Sequence, residues 1–168
     1  MSVFTPEEIA YFQSQRLARI ATSADGQPHV VPLAFRYNPE TDTIDVGGHD
    51  FAKRKKYRDV QHNPRVAIVI DDLASTDPWR PRMIEVRGEA EILSTGGEMV
   101  GPGFDAEMFR IRPRRIISIG IAPGGERALG EVALSPTVAA ATRRPPQPPY
   151  PTHGRSSPLL ARTEMSTW

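Results

Sequence analysis

The order of helix- and strand-forming runs restricts this fold more than any other feature of the sequence. A capped helical run opens the chain, three strand-like runs follow, a basic helical run interrupts, and three more strand-like runs come after it. Strands and helices do not alternate, which argues against a doubly wound parallel sheet. Antiparallel strands in this number protect their edges best by closing on themselves. The expected architecture is mainly β: a six-stranded antiparallel barrel with an N-terminal helix and a second helix inserted after the third strand.

The local signals are specific. Thr5 precedes Pro6, and Glu8 stands three residues on, the pattern of a capping box with proline in the first turn. Ile9, Phe12 and Leu17 are the apolar positions expected to face inward. Arg19–Thr22 alternates and Asp25-Gly26 supplies a hairpin turn. The next strand, His29–Phe35, contains Pro32, so it lies at an edge, at a bulge or where a ligand interrupts the ladder. Thr43–Gly48 is the third strand. A helix over Phe51–Gln61 is stopped by Asn63-Pro64, because the residue before proline avoids helical geometry. Arg65–Asp71 is the most apolar strand, and a loop from Leu73 to Pro81 carries Trp79. Arg82–Leu93 alternates cleanly, and Met108–Ile121 reads as one or two strands around Pro113.

Composition narrows the function classes. Residues 142–168 carry six prolines, four arginines and one glutamate, and hold too little apolar surface to offset the entropy of ordering. They are expected to form a disordered Pro/Arg-rich tail behind a domain of residues 1–141. Within that domain 17 Lys+Arg face 19 Asp+Glu, a net charge of −2, so general nucleic-acid binding is not expected. Cysteine is absent, which removes disulfides, thiolate metal sites and cysteine nucleophiles. The histidines show no paired ligand spacing, and His29 reads as an ordinary strand residue. The N-terminal residues lack a signal-peptide pattern and no apolar run approaches a membrane span, so a cytoplasmic location is expected.

Five of the domain's basic residues lie between Lys53 and Arg58. They follow Gly47-Gly48-His49-Asp50, where the glycines admit close approach and Asp50 is placed to cap the helix. Free N–H groups and partial positive charge at a helix start attract phosphate. Lys53, Arg54, Lys55 and Lys56 crowd that same spot, where helices prefer acids, so an anionic partner is expected nearby. Three readings fit: a solvated basic face, a nucleic-acid patch, or the site of a phosphorylated small-molecule cofactor.

Three stretches resemble the pyridoxamine 5′-phosphate oxidase-like flavin and deazaflavin oxidoreductases: LARIATSADGQPHVVPLAFRY, TIDVGGHDFAKRKKYRDVQHNPRVAIVIDD and RMIEVRGEAEIL. The resemblance spans residues 5–121. It implies a six-stranded split barrel, a homodimer, and a cofactor in the groove between protomers. By the same resemblance Lys56, eight residues before Pro64, is the phosphate lysine. Lys55 and Arg54 are its neighbours, and Gly48 and His49 border the cofactor. Val31, Pro32 and Leu33 line the ring with their backbone, and Trp79 reaches the partner's site. The late tryptophan of the vitamin-B6 oxidases is replaced by Ile119 and their closing Arg-Leu-x-Pro is missing, which disfavours a vitamin-B6 substrate. The extra cations Lys53 and Arg54 suit coenzyme F420, with its phosphate and polyglutamate tail, and the sequence resembles the actinobacterial F420-dependent group that includes tetracycline-biosynthesis reductases. The implied activity is an F420H2-dependent reduction of an electron-poor C=C in a small-molecule substrate such as a dehydrotetracycline. FMN is the alternative cofactor, and a non-enzymatic cofactor-sequestering protein is the alternative of another class. No residue is assigned a catalytic role, because solvent can supply the proton.

Overall fold

The computed structural model describes residues 2–122 and, by backbone, 126–129. The chain divides into Met1–Leu134 and Ser135–Trp168, and every described element belongs to the first unit. The expected boundary after residue 141 and the tail 142–168 lie outside the described residues.

Helix α1, Pro6–Ser14, starts as its sequence dictates: Thr5 Oγ1 accepts from the Glu8 N–H and the Glu8 carboxylate accepts from the Thr5 N–H. Phe12 is buried, but Leu17 is 49% exposed because the helix ends before its period reaches that residue. Strands β1 (Ala18–Ala24) and β2 (Gln27–Leu33) form a hairpin. Its turn residues Asp25 and Gly26 both have positive φ, 52° and 76°, as a turn matching strand twist requires. Strands β3 (Phe35–Asn38) and β4 (Thr43–Val46) follow, then a 3₁₀ turn at Phe51–Lys53 and helix α2 at Lys55–His62. Strands β5 (Arg65–Thr76), β6 (Trp79–Leu93), β7 (Met108–Ile119) and β8 (Glu126–Leu129), with a second 3₁₀ turn at Gly97–Met99 between β6 and β7, complete the described elements.

All eight strands join one antiparallel sheet in the order β2-β1-β5-β6-β7-β4-β3, with β8 pairing to β7. The expected count of six is therefore corrected. Ala34 divides the run His29–Phe35 into β2, which pairs with β1, and β3, which pairs with β4 at the other end of the order. The inserted helix consequently follows the fourth strand. The expected Leu73–Pro81 loop is instead the continuation and tip of the β5–β6 hairpin, with Thr76 opposite Trp79. Around Pro113 the chain stays one strand, and a register shift skips Arg114.

Pairing register shows what the sheet encloses. Val31, Ile20, Ile68, Val86 and Ile116 stand opposite one another across five strands, the last four fully buried. The next inward row is Ile70, Ile84 and Ser118. Alternation turns Pro32, Arg19, Val69, Glu85 and Ile117 to the opposite face. A one-residue slip in any strand would exchange these sets, so burial fixes the register.

One buried carboxylate fastens α2 to the first hairpin. Asp59 accepts hydrogen bonds from Thr22 on β1 (2.8 Å) and from Lys55 one turn back (2.8 and 3.0 Å), and lies 3.3 Å from His29 Nδ1 on β2. Asn63 adds a bond from its side chain to the Ser23 carbonyl, 3.0 Å. Burial pushes the Asp59 carboxyl up, but the hydrogen bonds from Lys55 and Thr22 and the adjacent ammonium outweigh it and hold it below the ordinary carboxylate value. His29, read from sequence as an ordinary strand residue, is part of this cluster.

Two outcomes follow. At Gly88 an added Cβ would lie 2.0 Å from the Arg112 carbonyl oxygen, so Gly88→Ala should destabilise the chain by roughly 2–4 kcal/mol in urea melts, within the range of backbone-strain substitutions. Asp59→Ala leaves the Thr22 hydroxyl without its carboxylate acceptor and should cost about 2 kcal/mol. Because the folded Asp59 pKa is depressed, its stabilisation is present above the ordinary carboxylate pKa and lost as pH falls through the folded value. Melts at pH 7 and in acid should therefore converge between wild type and the alanine variant as pH drops.

Candidate functional site

The segment leaving β4 is held from one side by the loop after Gly97. The Gly48 carbonyl accepts from the Asp105 N–H (3.1 Å), and the Asp105 carboxylate accepts from the Phe51 N–H (2.9 Å). A Cβ on buried Gly47 would meet the Gly97 carbonyl, Phe104 and Val100 at 3.5 Å each, so that loop packs directly on the glycine. His49 is exposed and stands edge-on to Phe104 with ring centroids 5.0 Å apart. Phe51 is fully buried against Phe109 and Tyr57.

Asp50 does not cap a helix with its side chain, contrary to the sequence expectation. Its φ of 51° is left-handed, and its carboxylate accepts from Lys53 Nζ at 2.8 Å instead. The helix expected from Phe51 is also broken. Arg54 adopts extended geometry (φ −77°, ψ 152°), and α2 begins only at Lys55. Lys55 and Lys56 thus occupy the first turn of α2, while Lys53 belongs to the preceding 3₁₀ turn.

The four cations consequently have different partners. Lys53 pairs with Asp50, Arg54 donates to the His49 carbonyl (3.3 Å) and lies 3.9 Å from Asp50, and Lys55 pairs with Asp59. Lys56 is half-buried, with its Nζ 4.8 Å from the centre of the Phe51 ring, and among the described residues it pairs with no carboxylate. Burial, reinforced by the Arg54 guanidinium, pushes the Lys56 ammonium below the ordinary lysine value. The expectation that the whole run requires an anion is narrowed: three of its members are already satisfied inside the chain, and the unmet demand sits at Lys56.

Val31, Pro32 and Leu33 lie on β2, the first strand in the sheet order, which is the edge position Pro32 requires. Pro32 is exposed, Val31 half-buried and Leu33 buried. The Asp59 cluster joins this strand to the cation run, because His29 of β2 and Lys55 meet on one carboxylate. Trp79 is not brought to them. It is 69% exposed at the hairpin tip, six residues beyond Glu85 along β6, or roughly 20 Å at strand rise. Asp71 and Asp72 diverge as adjacent strand residues must: Asp71 pairs with Arg19, and Asp72 with Arg82 and Tyr11. Among the described residues no three His, Asp or Glu side chains gather as metal ligands. Sequence reading missed Asp59, although Lys55 and Asp59 have the i,i+4 spacing of a helix ion pair. It also missed Asp105 and Phe104, whose contacts with the glycine segment span more than 50 residues and leave no local signal.

This geometry can hold a phosphate at the start of α2, with a flat group along β2. The pyridoxamine 5′-phosphate oxidase family matches residues 4–121. A Streptomyces rimosus protein named 5a,11a-dehydrotetracycline/5a,11a-dehydrooxytetracycline reductase is 43% identical over 119 residues, covering 70% of this chain and 84% of the relative. A conserved hypothetical protein of Mycobacterium tuberculosis superposes with TM-score 0.54 at 25% identity, over 70% of this chain and 85% of that one. A FAD-binding protein of Mesorhizobium loti superposes with TM-score 0.51 at 22% identity, over 68% and 93%, a likeness of fold. On the extent of these matches, the chain belongs to the pyridoxamine 5′-phosphate oxidase family.

Proposed function

We propose that this protein is an F420H2-dependent reductase that reduces an electron-poor C=C of a polycyclic substrate such as a dehydrotetracycline. The observation that carries the reading is Lys56, a half-buried ammonium at the start of a helix that pairs with no carboxylate among the described residues. Burying an ammonium without a counter-charge is unfavourable, and a phosphate would relieve it. The donor set fits such a group: Lys56 meets the phosphate, and the N–H groups of the first turn of α2 add their partial charge. Lys53 and Arg54 have side chains 82% and 54% exposed and can follow an acidic chain outward, which F420 has and FMN lacks. The relative named as a dehydrotetracycline reductase supports both the reaction type and the substrate class.

Reduced F420, when bound, supplies the hydride. The protein's part is placement. The β2 backbone at Val31, Pro32 and Leu33 offers a wall for a flat ring system, Gly48 lets it approach, and His49 next to that glycine is exposed. The wall is wetted in a single chain, so we include a second copy in the reading. The outward face of the sheet carries Pro32, Val69 and Ile117, with Val30 60% exposed, and a homodimer pressing on that face would exclude water. Trp79 on its projecting hairpin then serves the partner's site. The reduced carbon can take its proton from solvent, so no general acid is required.

Side-by-side fluorescence titration of F420 and FMN tests the cofactor. F420 should bind more tightly, and Lys56→Ala should weaken it by roughly 10- to 100-fold, the worth of one charge-assisted contact to phosphate. Unchanged affinity for both cofactors in that variant would refute the phosphate assignment, and tighter FMN binding would move the protein to the flavin branch. The pH dependence has a definite sign. The Lys56 ammonium is depressed from the ordinary 10.5, so affinity should fall as pH rises through the lowered value, before an ordinary lysine would titrate. Lys56→Arg should flatten that alkaline loss, since guanidinium keeps its proton.

A further inference from the structure

A groove of about 580 Å³ lies between α1, β3 and the loop that carries Met99. Beneath it Phe12 and Phe35 are buried in the core, and the half-buried Tyr37 ring, stacked on Phe12 with ring centres 5.9 Å apart, is the aromatic surface that reaches the groove. Met99, 56% exposed, and Val100 form the opposite wall. Arg16 from the end of α1 and Arg36 from β3 stand at the rim, both exposed. No acidic side chain lines the groove, and among the described residues neither arginine makes an ion pair. The groove on the outer sheet face, about 710 Å³, differs: Arg87 and Arg114 there pair with Glu85 and Glu89, Glu89 itself lines it, and Arg65 donates to the Asn63 side chain.

Position matters as much as lining. Phe35 is two residues beyond Leu33, so the groove begins within about 7 Å of chain from the β2 stretch proposed to face the cofactor ring. The wall residue Val100 is the same one that would touch a Cβ on Gly47, which places the loop between the groove and the glycine segment. A ligand in the groove therefore lies next to the cation-lined opening, without using its lysines.

We propose that this groove binds the organic substrate, and that it selects planar, polycyclic molecules bearing a carboxylate or a delocalised oxyanion. The Tyr37 ring and the exposed Met99 reward apolar area, and two rim guanidinium groups, unpaired among the described residues, reward negative charge, while a neutral polycycle gains the first contribution and lacks the second. The proposal rests on the reductase reading for its biological meaning, but the binding it describes is measurable without any cofactor.

The experiment uses the full chain and tetracycline as a fluorescent, planar, acidic probe, titrated in the presence of EDTA. Arg16→Gln and Arg36→Gln should each weaken tetracycline binding by roughly fivefold, the size of one solvent-exposed charge contact. Met99→Glu, which places an acid in the same wall at an exposed position, should weaken it to a similar degree. F420 affinity, titrated in parallel, should stay unchanged in all three. Tetracycline binding that is absent from the wild type, or equal in wild type and all three variants, overturns the proposal. Loss confined to the Lys56→Ala variant also overturns it, because the probe would then occupy the cofactor's place. If tetracycline binding responds to the rim variants while neither F420 nor FMN binds, the groove stands and the reductase reading falls.

Discussion

Strands β2 and β3 are separated by Ala34 alone, yet they pair at opposite ends of the sheet order. Because Leu33 and Phe35 are at most about 7 Å apart along the chain, far less than the several strand spacings between the ends of the order, the two ends of the sheet must be carried round until they meet at that corner. The curl, the enclosed rows of Ile and Val, and the placing of α1 beside β3 all follow from this constraint. So does the neighbourhood of the candidate site, since the corner joins the β2 wall to the aromatic cluster under α1. Hydrophobic burial supplies the energy of the curl, and the covalent link at Ala34 determines which edges come together.

Much of the framework was legible because its signals are local. The Thr5–Glu8 cap, the Asp25-Gly26 turn, the alternation of β6 and the stop at Asn63-Pro64 each depend on neighbours within a few residues, and each appears as the sequence implies. Three features were not legible for the same physical reason. The break at Ala34 is a choice between two pairing partners distant in sequence, and no periodicity records it. The tip of the β5–β6 hairpin contains Pro78, Pro81 and Asp77, residues that favour loops, and the long antiparallel pairing behind them overrides that preference. The break at Arg54 separates the 3₁₀ turn from α2, and the contacts around it, Phe51 on Phe109 and the Phe51 N–H on Asp105, span more than 50 residues and leave no local signal.

The cation run illustrates how partners change the meaning of composition. Four adjacent positive residues read as one feature in sequence, but the fold separates them into three satisfied charges and one that is desolvated over an aromatic face. Arg110 shows the opposite case. It forms a bidentate pair with the buried Asp45 carboxylate, which also accepts from Asn38, so its charge is consumed in joining β4 to β7. Charge alone therefore distinguishes neither residue; burial and the identity of the nearest acceptor do.

The β5–β6 hairpin extends beyond its neighbours: β1 reaches only Val69, and β7 reaches only Met83. From Leu73 onward the two strands pair with each other, and among the described residues nothing pairs with either flank of this ribbon. Such a flank invites unlimited strand addition and fibre growth. Here the outer turn holds Pro78 and Pro81, which lack donors, and Arg80 and Asp77, which carry charge into any stacked edge. The same residues that disguised the ribbon as a loop make it an end-stop, because an edge without donors and with charge disfavours strand addition and leaves side chains such as Trp79 as its contact points.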